Sequence, residues 1–474
     1  MPKRSFRLTT ESPEIEAAFT ELRRQLRVSL EFPQDVVADA ERAARAPRLP
    51  DADETSVPFG TLDPLGSMDL DQAFHIERRG DGYRVRYAIA DVAAFVEPGG
   101  PMDVEAHQRG ETLYAPDENA RLYPPALSEG AASLLPDQTR PALVWTMDVD
   151  ETGEGIDVNV RHALVRSRAK LDYVDAQQAL DGGTADEQLR LLREVGILRE
   201  QRETRRGGVS LALPEQVVTQ DGNGYGLQFR APLPVEGWNA QISLMTGMAA
   251  AELMLTGTVG LLRTVPVADP DRLERLRLMA KALRVEWPDD VPYAAFVRGL
   301  DPHIARQAAL LVEAAGLLRG SGYTSFEGDP PEDPVHAALA STYAHTTAPL
   351  RRLVDRYVGE ACVALSAGTE IPEWVRAEFP TLPEVMRESA GRAGQYEAGI
   401  VSIVEAALLA KSVGDTFDAI VVELSERRGG GTVAIRQPAI TARCTGDDLP
   451  LGGRVKVRLE EVDVMRRLVR FALA

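Results

Sequence analysis

The chain is poor in cysteine, histidine and aromatic residues: of 474 residues two are Cys, six are His, and Phe, Trp and Tyr together make up 6%. Cys362 and Cys444 stand far apart, without neighbouring histidine pairs. That excludes a disulfide framework, a disulfide-linked partner and a sulfur-rich zinc site, and it fits the reducing cytoplasm. Met1 to Thr10 is basic and polar with no apolar run behind it, so no secretory leader is expected. One stretch, Ile242 to Leu262, is nearly all apolar or small, but it carries Ser243 and Glu252. A buried helix is expected there, and no membrane partner. Positive charge is scarce overall, with 53 Lys and Arg against 72 Asp and Glu and a net charge of −19. Net charge governs solubility, whereas nucleic-acid binding depends on where basic residues cluster. From Arg427 onward ten basic residues face five acidic ones, so the balance reverses in the tail and RNA is not excluded.

What is present is ordinary for a folded soluble protein, with 44% hydrophobic and 26% charged residues. The length calls for a large body with smaller appendages. Residues 1 to 50 read as two short helices. Ser12-Pro13 opens the first, with Ile15, Phe19, Leu22 and Leu26 as its stripe; Pro33 opens the second, with Val36, Val37, Ala40 and Ala44, and Pro47 stops it. A helix-turn-helix unit and a helical arm packed on the main body both fit. A Pro/Asp-rich linker, Pro47 to Pro58, follows.

Strand patterns come next, at Tyr83 to Ile89, Leu143 to Val149 and Ile156 to Val165. Helical patterns then dominate: Tyr173 to Leu180, Ala185 to Arg206, Asn239 to Leu262, Arg272 to Leu283, His303 to Leu318, Pro349 to Ala367 and Pro383 to Ser412. Strands first and helices later predict an α+β body over residues 51–412. From Val413 five short β runs separated by glycine turns predict an OB-type barrel over 413–474, whose open face commonly carries nucleic acid. Nothing signals an oligomer, so a monomer is expected.

The segment richest in chemistry is Asp63-Pro64-Leu65-Gly66-Ser67-Met68-Asp69-Leu70-Asp71-Gln72. Pro64 and Gly66 can bend the chain so that Asp63 returns towards Asp69 and Asp71, which share a face if that stretch is extended. Converging carboxylates repel one another and normally hold hard cations such as Mg²⁺, with Mn²⁺ as an alternative. Hydrolysis of a phosphodiester uses such an arrangement, because metals activate the attacking water and stabilise the leaving oxygen. A solvated acidic turn or a structural calcium loop fits the spacing as well, although the EF-hand pattern does not.

The segment resembles the signature of the ribonuclease II (RNB) family, and further blocks follow in the family's order. They are Tyr87-Ala88-Ile89-Ala90-Asp91-Val92-Ala93-Ala94-Phe95-Val96, Arg109 to Tyr114, Leu122 to Ser128, and Tyr343-Ala344-His345-Thr346-Thr347-Ala348-Pro349-Leu350-Arg351-Arg352. The resemblance implies an RNB catalytic domain and a 3′-to-5′ exoribonuclease releasing nucleoside 5′-monophosphates, with RNA threaded into a channel. Asp63, Asp69 and Asp71 would hold the metal, Asp71 being least replaceable. Tyr114 would stack on a base near the scissile end. Arg351, with Arg352 beside it, would bind the scissile phosphate, and His345 would sit in the core or behind the site.

The chain departs from the family pattern at four places. Gln72 stands where a fourth aspartate is usual; its amide oxygen can coordinate but brings no charge. Trp238-Asn239-Ala240-Gln241 replaces a Glu-Glu pair, leaving Asn239 or Gln241 to bond a ribose hydroxyl. Leu211 stands where the family has a phenylalanine, so a base would meet an aliphatic face. The fifty residues before the linker are too few for two cold-shock barrels, and a wider entrance would admit RNA with a 3′ overhang next to a duplex. The competing reading is a catalytically weak RNA-binding regulator on the same scaffold.

Overall fold

Alternation of inward and outward residues builds the centre of the molecule. In Gly82–Ala90, Val85 and Tyr87 are buried while Arg84 and Arg86 face outward. The computed structural model describes residues 13–209, 215–221, 224–230, 232–301, 304–318, 320–424, 429–435 and 440–474. Ser12, His303 and Leu211 lie outside them.

Helices α1 (Pro13–Leu26) and α2 (Gln34–Arg45) precede strands β1 (Phe59–Asp63), β2 (Gln72–Arg79) and β3 (Gly82–Ala90), helix α3 (Pro101–Arg109), and strands β4 (Thr139–Val149) and β5 (Gly155–Asp172). The five strands form a closed barrel, antiparallel throughout except where β1 returns parallel to β5, with Leu62 opposite Leu171 and Asp63 opposite Asp172. Closure removes free sheet edges and sets the end of β1 beside the start of β2.

Helices α4 (Tyr173–Asp181) and α5 (Glu187–Arg206), the hairpin β6 (Glu215–Asp221) and β7 (Gly224–Arg230), and helix α6 (Pro234–Thr256) follow. Val235, Ile242, Met245, Ala250 and Met254 of α6 are buried around its circumference, as expected of a helix at the centre of a large body. Two glycines allow its close packing. A Cβ on Gly196 of α5 would lie 2.4 Å from Trp238 Cβ, and one on Gly247 would lie 2.5 Å from the Ala344 carbonyl oxygen. The apolar run does not continue as helix to Leu262: α6 stops at Thr256, and β8 (Val259–Thr264) begins a strand paired with β9 (Gly322–Glu327). Uniform apolarity looks the same in a buried helix and a buried strand, so periodicity gave no boundary. Among the described residues no helix is long and apolar enough to cross a membrane.

Between β8 and β9 lie α7 (Pro270–Ala282), α8 (Tyr293–Arg298) and α9 (Ala305–Leu317), with a core of their own. The short pair β10 (Val335–His336) and β11 (Ser341–Thr342) leads to α10 (Leu353–Ala367), α11 (Glu373–Glu378) and α12 (Leu382–Leu409). The chain ends in a second closed barrel made of β12 (Thr416–Leu424), β13 (Gly431–Ile435), β14 (Ile440–Thr445), β15 (Arg454–Asp463) and β16 (Leu468–Leu473). All five expected strands are there, and the architecture is the α+β one read from the sequence. Cys362 and Cys444 are both free and buried.

The N-terminal helices are anchored separately. α1 buries Ile15, Phe19 and Leu22 with Tyr396, Ile400 and Ile403 of α12, whereas α2 buries Val36 and Ala40 in the core of the first barrel. Arg109 fixes the turn between them, donating to the carbonyls of Ser29 and Glu31 and lying over the Phe32 ring. The two helices thus bury their apolar residues in different cores.

Candidate active site

The aspartate segment folds as a turn followed by an extended stretch. Asp63 ends β1; Ser67 N–H donates to the Pro64 carbonyl, and Gly66 takes a φ of 88°, which favours glycine. Ser133 then holds the chain straight, accepting from Leu70 N–H at 3.0 Å and donating to the Met68 carbonyl at 2.6 Å. The Asp71 carbonyl accepts from Ala90 N–H at 2.9 Å. Leu70 is thereby driven into the core, and its neighbours Asp69 and Asp71 share the opposite face with Asp63.

The second half of the site comes from the turn before α10. Asp355 accepts from Ala348 N–H and pairs with Arg352, shaping this turn. Leu350 N–H donates to Asp71 Oδ1 at 2.7 Å, and Arg351 Nε lies 3.1 Å from Asp71 Oδ2. Arg351 thus sits in the turn ahead of the helix, not on it. The strand-like segment 110–113 is zipped to this turn: Thr112 N–H donates to the Arg351 carbonyl and Leu353 N–H to the Gly110 carbonyl. Tyr114 follows directly, half exposed, its hydroxyl donating to Asp69 Oδ2 at 3.1 Å.

Burial dominates the electrostatics. It pushes Asp71 up to about 8, against the opposing pull of Arg351, and Asp63 up to about 6, with Asp69 adding to the rise. Asp71 Oδ2 is buried without a hydrogen bond. Arg351 is its charge partner at 3.1 Å, and buried carboxylate oxygens with raised proton affinity are donors that a hard divalent cation satisfies. Asp63, Asp69 and Asp71 are the residues that could hold such an ion, although their ligand atoms do not all lie within 4.8 Å of one another as they stand.

Tyr114 and Arg351 line a cavity of about 1420 Å³ that also takes in Gln72, Asn239 of α6, Tyr396 of α12 and Thr441 of the second barrel; Asp69 and Asp71 adjoin it through their contacts with Tyr114 and Arg351. Asn239 is buried, its Nδ2 donating to the Tyr173 hydroxyl at 3.2 Å. Gln72 is a bridge: its Oε1 accepts from the Tyr87 hydroxyl at 3.0 Å, and its Nε2 donates to the Thr347 carbonyl. An aspartate cannot donate to that carbonyl, which gives the amide a structural reason. The remaining expected residues are not brought to the cavity in the same way. Gln241 is buried and donates to Glu203 at 2.7 Å. His345 is partly buried, with Nδ1 2.7 Å from the Tyr323 hydroxyl; desolvation and the nearby Arg352 hold it well below the usual histidine range. Arg352 lines the cavity wall but is committed to Asp355.

Sequence reasoning missed Tyr173, Tyr87, Ser243 and Thr347. Tyr173 follows the cap residue Asp172 at the exit of β5, and no motif marks it. It also missed the use of the arm: Arg23 of α1 donates to the Tyr396 hydroxyl at 2.9 Å and pairs with Asp117, just beyond Tyr114.

Residues 52–365 match the RNB domain family, and residues 415–474 match the RNase II-type exonuclease C-terminal S1 domain. A protein named ribonuclease R from Aquifex aeolicus is 27% identical over 453 residues, covering 87% of this chain and 63% of the relative. The chain therefore spans less than two thirds of that relative's length. The solved structure of Mycoplasma genitalium RNase R with double-stranded RNA shares the fold, with a TM-score of 0.83 at 19% identity over 98% of this chain and 84% of the other. Yeast Ssd1, described as a pseudonuclease, shares it too, with a TM-score of 0.74 at 17% identity over 97% of this chain and 58% of the other. With a match over residues 52–365, completed by a turn that brings Arg351 onto Asp71, the chain belongs to the RNB domain family.

Proposed function

We propose that this chain is a cytoplasmic, metal-dependent 3′-to-5′ exoribonuclease that shortens single-stranded or 3′-tailed RNA by one nucleoside 5′-monophosphate at a time. The observation that carries the reading is that Arg351 and Tyr114, which line one cavity, contact Asp71 and Asp69 behind it, with Asp63 near enough to feel Arg351 and Asp69. The aspartates would hold Mg²⁺, or Mn²⁺ in its place. The bound ion would supply an activated water and charge neutralisation at the leaving oxygen.

The chain's own residues do the rest. Arg351, freed from its contact with Asp71, reaches the scissile phosphate through its planar donor fork. Tyr114 presents a ring face that accepts any base. Gln72 fixes the Thr347 carbonyl and so the approach of the Arg351 turn, and its amide oxygen is within the donor inventory of the site. On this reading Asn239 would bond a ribose hydroxyl, Leu211 and Arg352 would be further contacts to RNA, and His345 would act from the core or behind the site. The domain division that accompanies this reading is an arm over 1–50, a catalytic body over 51–412 and an RNA-binding barrel over 413–474.

The test is the product pattern from 5′-labelled single-stranded RNA in Mg²⁺, for the natural chain and for Asp71→Asn. A 3′-shortening ladder that disappears in the variant is expected. RNA binding without shortening, in Mn²⁺ as in Mg²⁺, would overturn the enzyme reading. The non-catalytic reading, an RNA-binding regulator, has one observation in its favour: the neutral Gln72 at the fourth acidic position.

A further inference from the structure

A second group of metal-ligating side chains lies outside the cavity just described. Asp91 follows the end of β3, His162 is on β5 and Glu360 is on α10. One ligand atom from each lies within 4.8 Å of the others, the single such group of three among the described residues. Asp91 Oδ2 is 2.8 Å from His162 Nδ1, and Glu360 Oε2 is 3.5 Å from His162 Nε2. Asp91 and Glu360 are 3% and 9% exposed, and Glu360 Oε1 is buried with no hydrogen-bond partner. A cavity of about 510 Å³, sharing no lining residue with the larger one, opens onto all three.

Charge explains why this arrangement is incomplete by itself. Two carboxylates taken out of water repel each other and are costly to hold there unless they are compensated. One imidazolium balances one of them. Arg356, one turn earlier on α10, is paired with Asp103 and attracts Glu360 only from a distance, and Arg48 at the cavity mouth is spent on Glu97 and two carbonyls. A divalent ion with a neutral imidazole balances both carboxylates, uses the orphaned oxygen and releases the ring proton to solvent.

We propose that Asp91, His162 and Glu360 bind a divalent cation of the zinc class, with one ring nitrogen, the two carboxylates and cavity water as ligands. Mixed nitrogen and oxygen donors suit Zn²⁺ and its neighbours better than Mg²⁺. Asp91 also accepts from Ala94 N–H at 3.0 Å, so its carboxylate is already oriented, as in sites where a fixed carboxylate holds a ligating histidine. The site joins the barrel, through β3 and β5, to the helix that begins just after Arg351. It is a structural staple, and its occupancy should be read in stability.

The experiment uses the chain with Asp71→Asn, which weakens the other metal site, stripped with chelator and free of RNA. Zn²⁺ is titrated calorimetrically, and melting is followed with and without it. One Zn²⁺ per chain and a higher Tm are expected, with affinity falling at least about tenfold on adding Glu360→Gln or His162→Asn. Far-UV circular dichroism checks that each variant folds. If neither does, Cu²⁺ bound to the Asp71→Asn chain is examined by pulsed electron paramagnetic resonance, where coupling to an imidazole nitrogen is expected. Unchanged Zn²⁺ affinity in folded variants, no Zn²⁺ binding, or no nitrogen coupling would overturn the proposal and leave an imidazolium clamped between carboxylates. None of these readouts depends on nuclease activity.

Discussion

The raised proton affinity of Asp71 makes the metal requirement of this site dependent on pH. A cation must displace whatever proton the buried carboxylate holds, and burial pushes Asp71 up to about 8 and Asp63 up to about 6. Below the pKa of a ligand, apparent metal affinity falls about tenfold per pH unit, or about 1.4 kcal/mol. From about pH 8 to about pH 6 the loss from Asp71 alone is therefore about a hundredfold. Below about pH 6, Asp63 joins and the slope doubles; above about pH 8 the curve flattens. The assay is half-saturation by Mg²⁺ of the shortening of labelled RNA at a series of pH values, with Mn²⁺ calorimetry as a check independent of turnover. An affinity constant to within about threefold between pH 6 and pH 8 would mean that Asp71 is already ionised, and the argument from burial would fail.

Metal-free stability should carry the same signature with the sign of a raised carboxylate. Asp71 binds its proton more tightly folded than unfolded, so its contribution is intact below the ordinary carboxylate range. It is lost as pH rises towards about 8, at no more than about 1.4 kcal/mol per unit. In EDTA, Asp71→Asn should be the more stable protein in urea at about pH 8 and should lose that advantage near pH 4; parallel curves would refute this. Tyr114→Ala should weaken RNA binding by ~1–3 kcal/mol while Tyr114→Phe keeps most of it, as read by fluorescence anisotropy; equal losses would point to the Asp69 hydrogen bond instead. Gly247→Ala should cost ~1–3 kcal/mol of stability, because its methyl group would press on the Ala344 backbone; a variant of unchanged Tm would show that this contact yields freely.

Local pattern made much of this legible. Five strands of the second barrel could be read from alternation and glycine turns, and the apolar stripe of α1 marked its buried face. The meeting of Asp71 with Arg351 was legible only through the order of family-like blocks, since 280 positions separate them and no spacing rule reaches so far. The closure of the first barrel was not legible for the same reason: Leu62 finds Leu171 through the sheet. Side-chain direction was a further blind spot. His345 and Arg351 are near neighbours in sequence, yet one is packed against Tyr323 and the other reaches Asp71. The Asp91, His162 and Glu360 group comes from three elements whose patterns advertise only a strand end, a strand and an apolar helix.

The backbone zipper between residues 110–113 and the Arg351 turn has a mechanical consequence. Through it the main chains that carry Tyr114 and Arg351 are tied together, so the attachment points of the two side chains keep a set spacing, like the hinge of a caliper. If Tyr114 takes a base and Arg351 a phosphate, as proposed, such a gauge would measure the step from base to phosphate, a length common to all four nucleotides. Indifference to sequence would then follow from a fixed ruler, with the arm's Arg23, tied to Asp117, steadying one jaw.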